Sequence, residues 1–149
     1  MSKYKLIQLT NNALGATDAT TALPLGLVTR RLNAAACNCA TFQITSSNSD
    51  TIILNDPGYY KITYSATLLA ADAGVVSVDL IANQQTITSV SETAAAADDA
   101  VDLTLVYVLR VCPNCCSTPT NCPVSIQFML GETAITAGST TNLIIEKIQ

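Results

Sequence analysis

The stretch D-P-G-Y-Y-K-I-T-Y, residues 56–64, decides the fold class of this chain. From Tyr60 to Leu68 apolar and polar side chains alternate, which is the pattern of a β-strand with one buried face. Immediately before this strand, Pro57 presets a turn and Gly58 accepts the positive φ that closes it. The stretch therefore predicts a turn that leads into a half-buried strand.

The same alternation recurs further along the chain. It is found in three sets of apolar residues: Val76, Val78 and Leu80; Val101, Leu103, Leu105, Tyr107 and Leu109; and Val124, Ile126, Phe128 and Leu130. The stretch S-E-T-A-A-A-A-D-D-A (residues 91–100) has the composition of a helix capped by Ser91, but we interpret it as a loop or a small-residue strand. Short strands separated by turns predict an all-β sandwich or barrel.

The composition indicates that much of the surface is hidden in an assembly. A chain of 149 residues fits one domain that buries a core without metal or disulfide staples. Charged residues make up only 12% of it, against about 25% in an ordinary soluble domain. Because so few charges cover a monomer poorly, the sequence predicts an oligomer or a larger particle.

Charge and residue types exclude several classes of function. The net charge is −4 and the only adjacent basic pair is Arg30 with Arg31, so we expect no nucleic-acid partner. The chain has no His, the usual side chain for proton transfer near neutral pH, and we expect no enzymatic activity. No stretch approaches the ~20 uninterrupted apolar residues of a membrane span, and no export signal follows the basic start. We therefore expect synthesis in the cytoplasm and no membrane insertion.

The first 36 residues differ from the rest. Y-K-L-I-Q-L (residues 4–9) alternates well enough for one strand, but residues 10–22 are small and polar, and L-P-L-G (residues 23–26) interrupts any regular element. The sequence predicts two units: an extended N-terminal arm over residues 1–36, which serves as an attachment segment, and one β-domain over residues 37–149.

Two motifs resemble a known superfamily. Gly58, Tyr60 and Tyr64 match the Gly-x-Tyr-x-aromatic-x-aromatic strand of the complement globular-head and tumour-necrosis-factor superfamily, with Ile62 where an aromatic residue is usual. T-N-L-I-I-E-K-I, residues 141–148, is similar to the closing strand of the spore exosporium tip domains of that superfamily. The resemblance implies a jelly-roll β-sandwich of about ten strands that assembles as a tight homotrimer.

The same jelly roll resembles head-fibre and tail proteins of bacteriophages, which commonly begin with a short docking arm. The chain has no collagen-like stalk, and a surface protein without an export signal must be released by lysis. We therefore predict a non-enzymatic, trimeric phage head fibre or capsid decoration protein on the virion surface, assembled in the host cytoplasm and held on the capsid by its arm. The alternatives are a spore exosporium tip protein on the spore surface and an adhesin that binds a receptor or a host-surface glycan.

The six cysteines form the remaining candidate site. They are Cys37 and Cys39 at the predicted junction of arm and domain, and Cys112, Cys115, Cys116 and Cys122 on a predicted hairpin-like loop. We interpret them as disulfides or structural thiols; the alternatives are a zinc site, for which the paired C-x-x-C spacing is incomplete, and redox chemistry. We predict no cofactor, with zinc at these cysteines or calcium at Asp98 and Asp99, with Glu92 and Asp102 nearby, as the alternatives.

Overall fold

The computed structural model describes residues 4–32, 41–45, 49–112 and 123–148. Within these ranges the chain forms ten strands: β1 (Lys5–Leu14), β2 (Leu27–Leu32), β3 (Phe42–Thr45), β4 (Thr51–Leu54), β5 (Gly58–Leu69), β6 (Gly74–Ala82), β7 (Gln85–Ala94), β8 (Ala100–Val111), β9 (Val124–Leu130) and β10 (Ser139–Lys147). Residues 91–100, whose composition is that of a capped helix, form the end of β7, a turn and the first residue of β8. None of the described residues belongs to a helix long and apolar enough to cross a membrane.

The strands form two antiparallel sheets of five strands each. The first sheet has the order β2-β1-β10-β5-β8, and the second has the order β3-β4-β9-β6-β7. Strands that are distant in sequence are thus neighbours in space, as in a jelly roll. The predicted all-β jelly-roll sandwich is confirmed.

The stretch quoted at the outset lies at the centre of the first sheet. Gly58 begins β5 at a φ of 146°, and β5 pairs with β10 on one side and β8 on the other. Its inward residues Tyr60, Ile62, Tyr64 and Leu68 are fully buried. Alternation along one strand therefore places the largest side chains between the two sheets.

Aromatic contacts join the two sheets across this core. The Tyr64 ring stacks on Phe128 of β9 with centroids 4.0 Å apart, and Tyr60 meets Phe42 of β3 edge to face at 6.0 Å. The Tyr60 hydroxyl donates a hydrogen bond to the carbonyl oxygen of Asp56 (2.6 Å). Within the described residues the Tyr64 hydroxyl makes no hydrogen bond of good geometry. Burial raises the pKa of Tyr64 far above its usual value, and the adjacent Thr141 hydroxyl opposes this effect only in part. Two tyrosines on one strand thus differ in whether the hydroxyl makes a hydrogen bond of good geometry with another described residue.

This difference predicts unequal effects of two identical changes. Tyr60→Phe is expected to lower the free energy of unfolding by about 1 kcal/mol, since it removes a made hydrogen bond. Tyr64→Phe is expected to leave it unchanged or to raise it, because it removes a buried hydroxyl without a good partner. Urea denaturation of both variants checks this, and equal losses would contradict it.

The N-terminal residues are part of the sandwich, so the predicted arm over residues 1–36 requires correction. β1 lies between β2 and β10, and its residues Ile7 and Leu9 are fully buried. Residues 17–25 then run along the second sheet, where the Leu23 amide donates to the carbonyl oxygen of Phe128 (2.8 Å). Residues 1–3 and 33–36 lie outside the described ranges. Residues 10–22 are small and polar in sequence, yet they belong to a segment that contacts both sheets. The domain therefore begins before residue 37.

The L-P-L-G stretch explains how such a polar segment is held. Leu23 and Leu25 are both fully buried, and Gly26 follows them at a φ of +88°. A Cβ atom at Gly26 would lie 2.2 Å from the carbonyl oxygen of Thr10, so only glycine fits. The stretch therefore anchors the segment in the core and turns it back toward β2.

The loop after Cys112 also differs from the prediction. β8 belongs to the first sheet, whereas β9 pairs with β4 and β6 in the second. β8 and β9 therefore do not form a hairpin with each other, and residues 113–122 between them lie outside the described residues. Alternation predicted both strands, but it contains no information on which sheet each one joins.

Candidate functional site

The outward side of the first sheet carries most of the exposed large hydrophobic residues of the described chain together with a polar depression, and we call it the open face. It is formed by the outward residues of β1, β10, β5 and β8: Leu6, Gln8, Thr10, Asn142, Ile144, Glu146, Tyr59, Lys61, Thr63, Ser65, Thr67, Asp102, Thr104, Val106, Val108 and Arg110. Strand register places Leu6, Glu146, Lys61 and Val108 in one row, and Gln8, Ile144, Thr63 and Val106 in the next.

Exposed apolar side chains concentrate on this sheet. The exposed large hydrophobic residues of the described chain are Leu27, Val28, Leu32, Tyr59, Val75, Val106, Val108 and Ile148. All but Val75 lie on strands of the first sheet or, for Ile148, directly after β10. Val106 and Val108 are 55% and 53% exposed, although they stand at the centre of a regular twelve-residue strand. Contiguous exposed apolar surface of this kind marks a site of association.

The open face changes character along the strands. At one end Arg110 lies over the ring of Tyr59, 6.0 Å from its centroid, beside the row that contains Val108. At the other end a polar depression of about 560 Å³ is lined by hydroxyl, amide and carboxylate groups. Within it the Asn142 Oδ1 atom accepts hydrogen bonds from Gln8 Nε2 (2.9 Å) and Thr10 Oγ1 (3.0 Å). The face therefore has a hydrogen-bonded polar half and a half in which the exposed side chains of Tyr59, Val106 and Val108 stand among polar and charged residues.

One lateral margin of the sandwich also lacks a neighbour. Among the strands of the described chain, β8 pairs only with β5, and β7 pairs only with β6. These edges are long, twelve and ten residues, and β7 carries only Glu92 as a charge. Natural proteins cover or shorten such edges because exposed backbone groups invite pairing. The margin is therefore a second surface suited to contact with another chain.

Of the predicted cysteine site, the structure describes Cys112 alone. Its side chain is 6% exposed and follows Val111, which pairs with Gly58 at the start of β5. The predicted residues Cys37, Cys39, Cys115, Cys116 and Cys122 lie outside the described residues. The described residues that border them converge, since Phe42 and Val124 pair with Leu54 from opposite sides. Both cysteine-bearing segments therefore join the sandwich at one end.

Two of the acidic residues considered for calcium, Asp99 and Asp102, accept local hydrogen bonds. The Asp99 Oδ2 atom accepts from the amides of Ala95 (3.1 Å) and Ala96 (3.0 Å), and the Asp102 Oδ1 atom accepts from Thr67 Oγ1 (2.7 Å). In the part of the chain that the structure describes, no three His, Cys, Asp or Glu side chains are grouped as metal ligands. These contacts give the carboxylates a role in holding the β7–β8 turn and the strand end.

The cysteine end of the sandwich carries a charged network that sequence reasoning missed. Lys5 Nζ donates to Thr41 Oγ1 (2.7 Å) and lies 3.3 Å from Asp56 Oδ2, while Thr41 Oγ1 donates to the same carboxylate oxygen (2.5 Å). Partial burial raises the pKa of Asp56, but the Thr41 hydrogen bond and the Lys5 hydrogen bond and charge outweigh it, so the pKa lies below its usual value. Three residues remote in sequence thus fasten β1 to the turn before β5.

The lowered pKa of Asp56 predicts how this network responds to acid. A carboxylate with a depressed pKa stabilises the fold above its unfolded value of 3.8, and it loses this contribution as the pH falls below that value. Asp56→Asn is therefore expected to destabilise the protein at pH 7 and pH 5, and the difference from the parent is expected to shrink at pH 3. Urea denaturation at the three pH values checks this, and a difference independent of pH would contradict it.

Comparison with known proteins identifies the fold. No family model matches the sequence, and no curated protein matches it. Many solved structures match the fold. The globular domain of a zebrafish complement 1qA protein has a TM-score of 0.67 and 8% identity, with 97% of each chain covered. The Eiger TNF of S. frugiperda has a TM-score of 0.65 and 7% identity, covering 98% of this chain and 92% of its own. Vertex protein P5 of PRD1 has a TM-score of 0.57 and 15% identity, with 97% of each chain covered. The resemblance to the complement globular-head and tumour-necrosis-factor jelly roll, predicted from Gly58, Tyr60 and Tyr64, is confirmed.

Proposed function

We propose that this chain is a non-enzymatic structural protein that assembles as a homotrimer on the surface of a virion, as a phage head fibre or capsid decoration subunit. The observation that carries the proposal is the open face, where regular strands expose Tyr59, Val106 and Val108. Burying such side chains stabilises an assembly by roughly 25 cal/mol for each Å² of apolar surface removed from water. The low charge content of 12% has the same explanation, since part of the surface faces other subunits.

The arrangement of the two uncovered surfaces favours a ring over a twofold dimer. The open face is the outward side of β1, β10, β5 and β8, whereas the uncovered margin consists of the lateral edges of β8 and β7. Two different surfaces that meet make a head-to-tail contact, and such contacts close into rings when the rotation permits. A trimer in which the margin of each subunit packs on the face of the next covers both surfaces at once.

The virion location rests on the fold likeness to a viral vertex protein and on the release of such particles by lysis. A capsid or other particle protein is the proposed partner. Because residues 5–32 contribute two strands to the first sheet, attachment through this region would involve the folded domain and not a separate arm. Immunogold labelling of particles released from the producing cells tests the location. Label on phage heads supports it, whereas label confined to spores would favour a spore-surface protein.

An adhesin that binds a host-surface glycan is the second candidate function, and the polar depression favours it. Side-chain amides and hydroxyls such as those of Gln8, Asn142 and Thr104 offer donors and acceptors of the kind that sugar hydroxyls require. A glycan array probed with the intact protein tests this candidate. Binding that is lost in Asn142→Ala supports it, and the absence of binding to any glycan contradicts it.

For the cysteines we propose disulfide crosslinks that form after release into an oxidising medium. One disulfide across the loop after Cys112 is expected to contribute roughly 2 to 3 kcal/mol by restricting the unfolded chain. Replacement of Cys112, Cys115, Cys116 and Cys122 by Ser is therefore expected to lower the melting temperature by several degrees and to leave the trimer intact. Intact mass after alkylation, with and without reductant, reports the number of disulfides. Stoichiometric zinc with every thiol reduced in the mature assembly would contradict the proposal.

A further inference from the structure

Two opposite charges stand side by side at the centre of the open face. Strand register pairs Glu146 of β10 with Lys61 of β5, and both side chains point outward. In the same row Leu6 of β1 flanks the glutamate and Val108 of β8 flanks the lysine. Directly opposed residues of an antiparallel pair have Cβ atoms about 4.5 to 5.5 Å apart, so these two side chains can reach each other. The two charges are therefore neighbours, with an apolar side chain on either side.

In the single subunit this pair is open. Lys61 is exposed and Glu146 is half-buried. Among the described residues, the ion pair that is closed is Lys5 with Asp56. The other cation at this end of the face, Arg110, has the same sign as Lys61 and cannot neutralise it. An exposed ion pair is worth little because water solvates both charges, and water satisfies these two side chains while the face is uncovered.

Covering the open face removes that water. In the proposed trimer the margin formed by β7 and β8 packs on this face, and most of that margin is uncharged. Residues 85–91 of β7 and residues 103–109 of β8 contain no Asp, Glu, Lys or Arg. The charged residues of the margin and its turn stand at the two ends: Glu92, Asp98, Asp99, Asp102 and Arg110. Most of the covering surface therefore offers Lys61 and Glu146 no partner.

We propose that Lys61 and Glu146 close into a cross-strand ion pair when the next subunit covers them, and that this pair allows the open face to receive an uncharged strand margin. The pairing rests on the proposed trimer and deepens it, because it names the residues that let a charged face be buried. A buried charge without a partner is strongly unfavourable, whereas a buried ion pair can often be replaced by apolar side chains of similar volume without loss. Loss of one charge and loss of both therefore have different consequences for assembly.

A double-mutant cycle tests the proposal by sedimentation velocity over a dilution series at pH 7. Lys61→Met and Glu146→Met each leave one charge without its partner. Each single variant is expected to dissociate at roughly hundredfold or higher protein concentration than the parent. The chain that carries both changes is expected to dissociate at the concentration of the parent or below it, because no charge is then left to bury.

Two further variants control for added hydrophobicity and for the loss of an acid. Lys61→Glu with Glu146→Lys inverts the pair without adding apolar surface, and it is expected to keep most of the parent's stability as a trimer. Glu132→Met removes an exposed acid that follows β9 of the second sheet, and it is expected to have no effect. Circular dichroism of every variant is expected to show a folded subunit, since the altered side chains point away from the core.

The results distinguish the ion pair from the trimer itself. Single-variant effects that add in the double variant would overturn the pairing and leave the trimer standing, since each charge would then act independently of the other. Single variants that dissociate like the parent would also overturn it, because both charges would then remain in water. A parent protein that is monomeric at every concentration would contradict the proposed trimer and this pairing together.

Discussion

A chain that lacks residues 1–14 is expected not to fold. β1 is paired on both sides, with β2 and with β10, so its removal exposes the edge of β10 and leaves β2 without a partner. It also removes the buried side chains of Ile7, Leu9 and Leu14. Truncation of one such side chain alone costs about 2 to 5 kcal/mol. Their combined loss is comparable to the whole stability of an ordinary domain, about 5 to 15 kcal/mol. Circular dichroism and a urea titration check this, and a cooperative unfolding transition in the shortened chain would show that the segment is an independent arm.

Point substitutions give the same prediction a matched control. Leu9→Ala is expected to lower the free energy of unfolding by about 2 to 5 kcal/mol, because Leu9 is fully buried between the sheets. Leu27→Ala is expected to change it by no more than about 0.5 kcal/mol in the isolated subunit, because Leu27 is 78% exposed. An arm outside the core would tolerate both changes equally.

Placing charges on the open face is expected to produce monomers. In the proposed trimer, Val106→Glu with Val108→Glu would bury two carboxylates without partners, and each costs several kcal/mol unless it is paired. The subunit itself is expected to stay folded, since both side chains point away from its core. Light scattering at micromolar concentration measures the mass, and circular dichroism confirms the fold.

Val75→Glu is the control for this variant. Val75 is a valine of a β-strand with 54% exposure, close to the 55% and 53% of Val106 and Val108, but it lies on β6 of the second sheet. We expect it to leave the mass unchanged. Equal behaviour of the two variants would mean that the open face has no special role in assembly.

The strands that could be predicted from the sequence are those in which large apolar residues alternate strictly. β5, β8 and β9 belong to this group, because alternation places Tyr60, Leu105 and Phe128 each on the inward side of its own strand. β10 was located by its resemblance to a closing strand. Which strands pair, and in which sheet, was predictable only through the implied jelly roll. Alternation is a local property, whereas the pairing of β1 with β10 joins opposite ends of the chain.

The N-terminal segment was misjudged because its anchors are sparse. Leu14, Leu23 and Leu25 stand among small polar residues and show no period, yet each is buried, since backbone hydrogen bonds to the second sheet hold the intervening residues. The contact of Lys5 with Thr41 and Asp56 could not be predicted from the sequence, because it forms only when three segments that are distant in sequence meet in the fold. The low charge content predicts that part of the surface is buried in an assembly, but it does not say which part. The location of the open face depends on which sheet exposes apolar side chains, and that is a property of the fold.

The mass of the intact protein in solution tests the central claim most directly. Light scattering coupled to size-exclusion chromatography, at micromolar concentration and moderate salt, is expected to return three times the 15.6 kDa mass of one chain. The same mass is expected with and without reductant, because the open face and not the cysteines holds the subunits together. A stable species of 15.6 kDa under these conditions would contradict the proposed assembly.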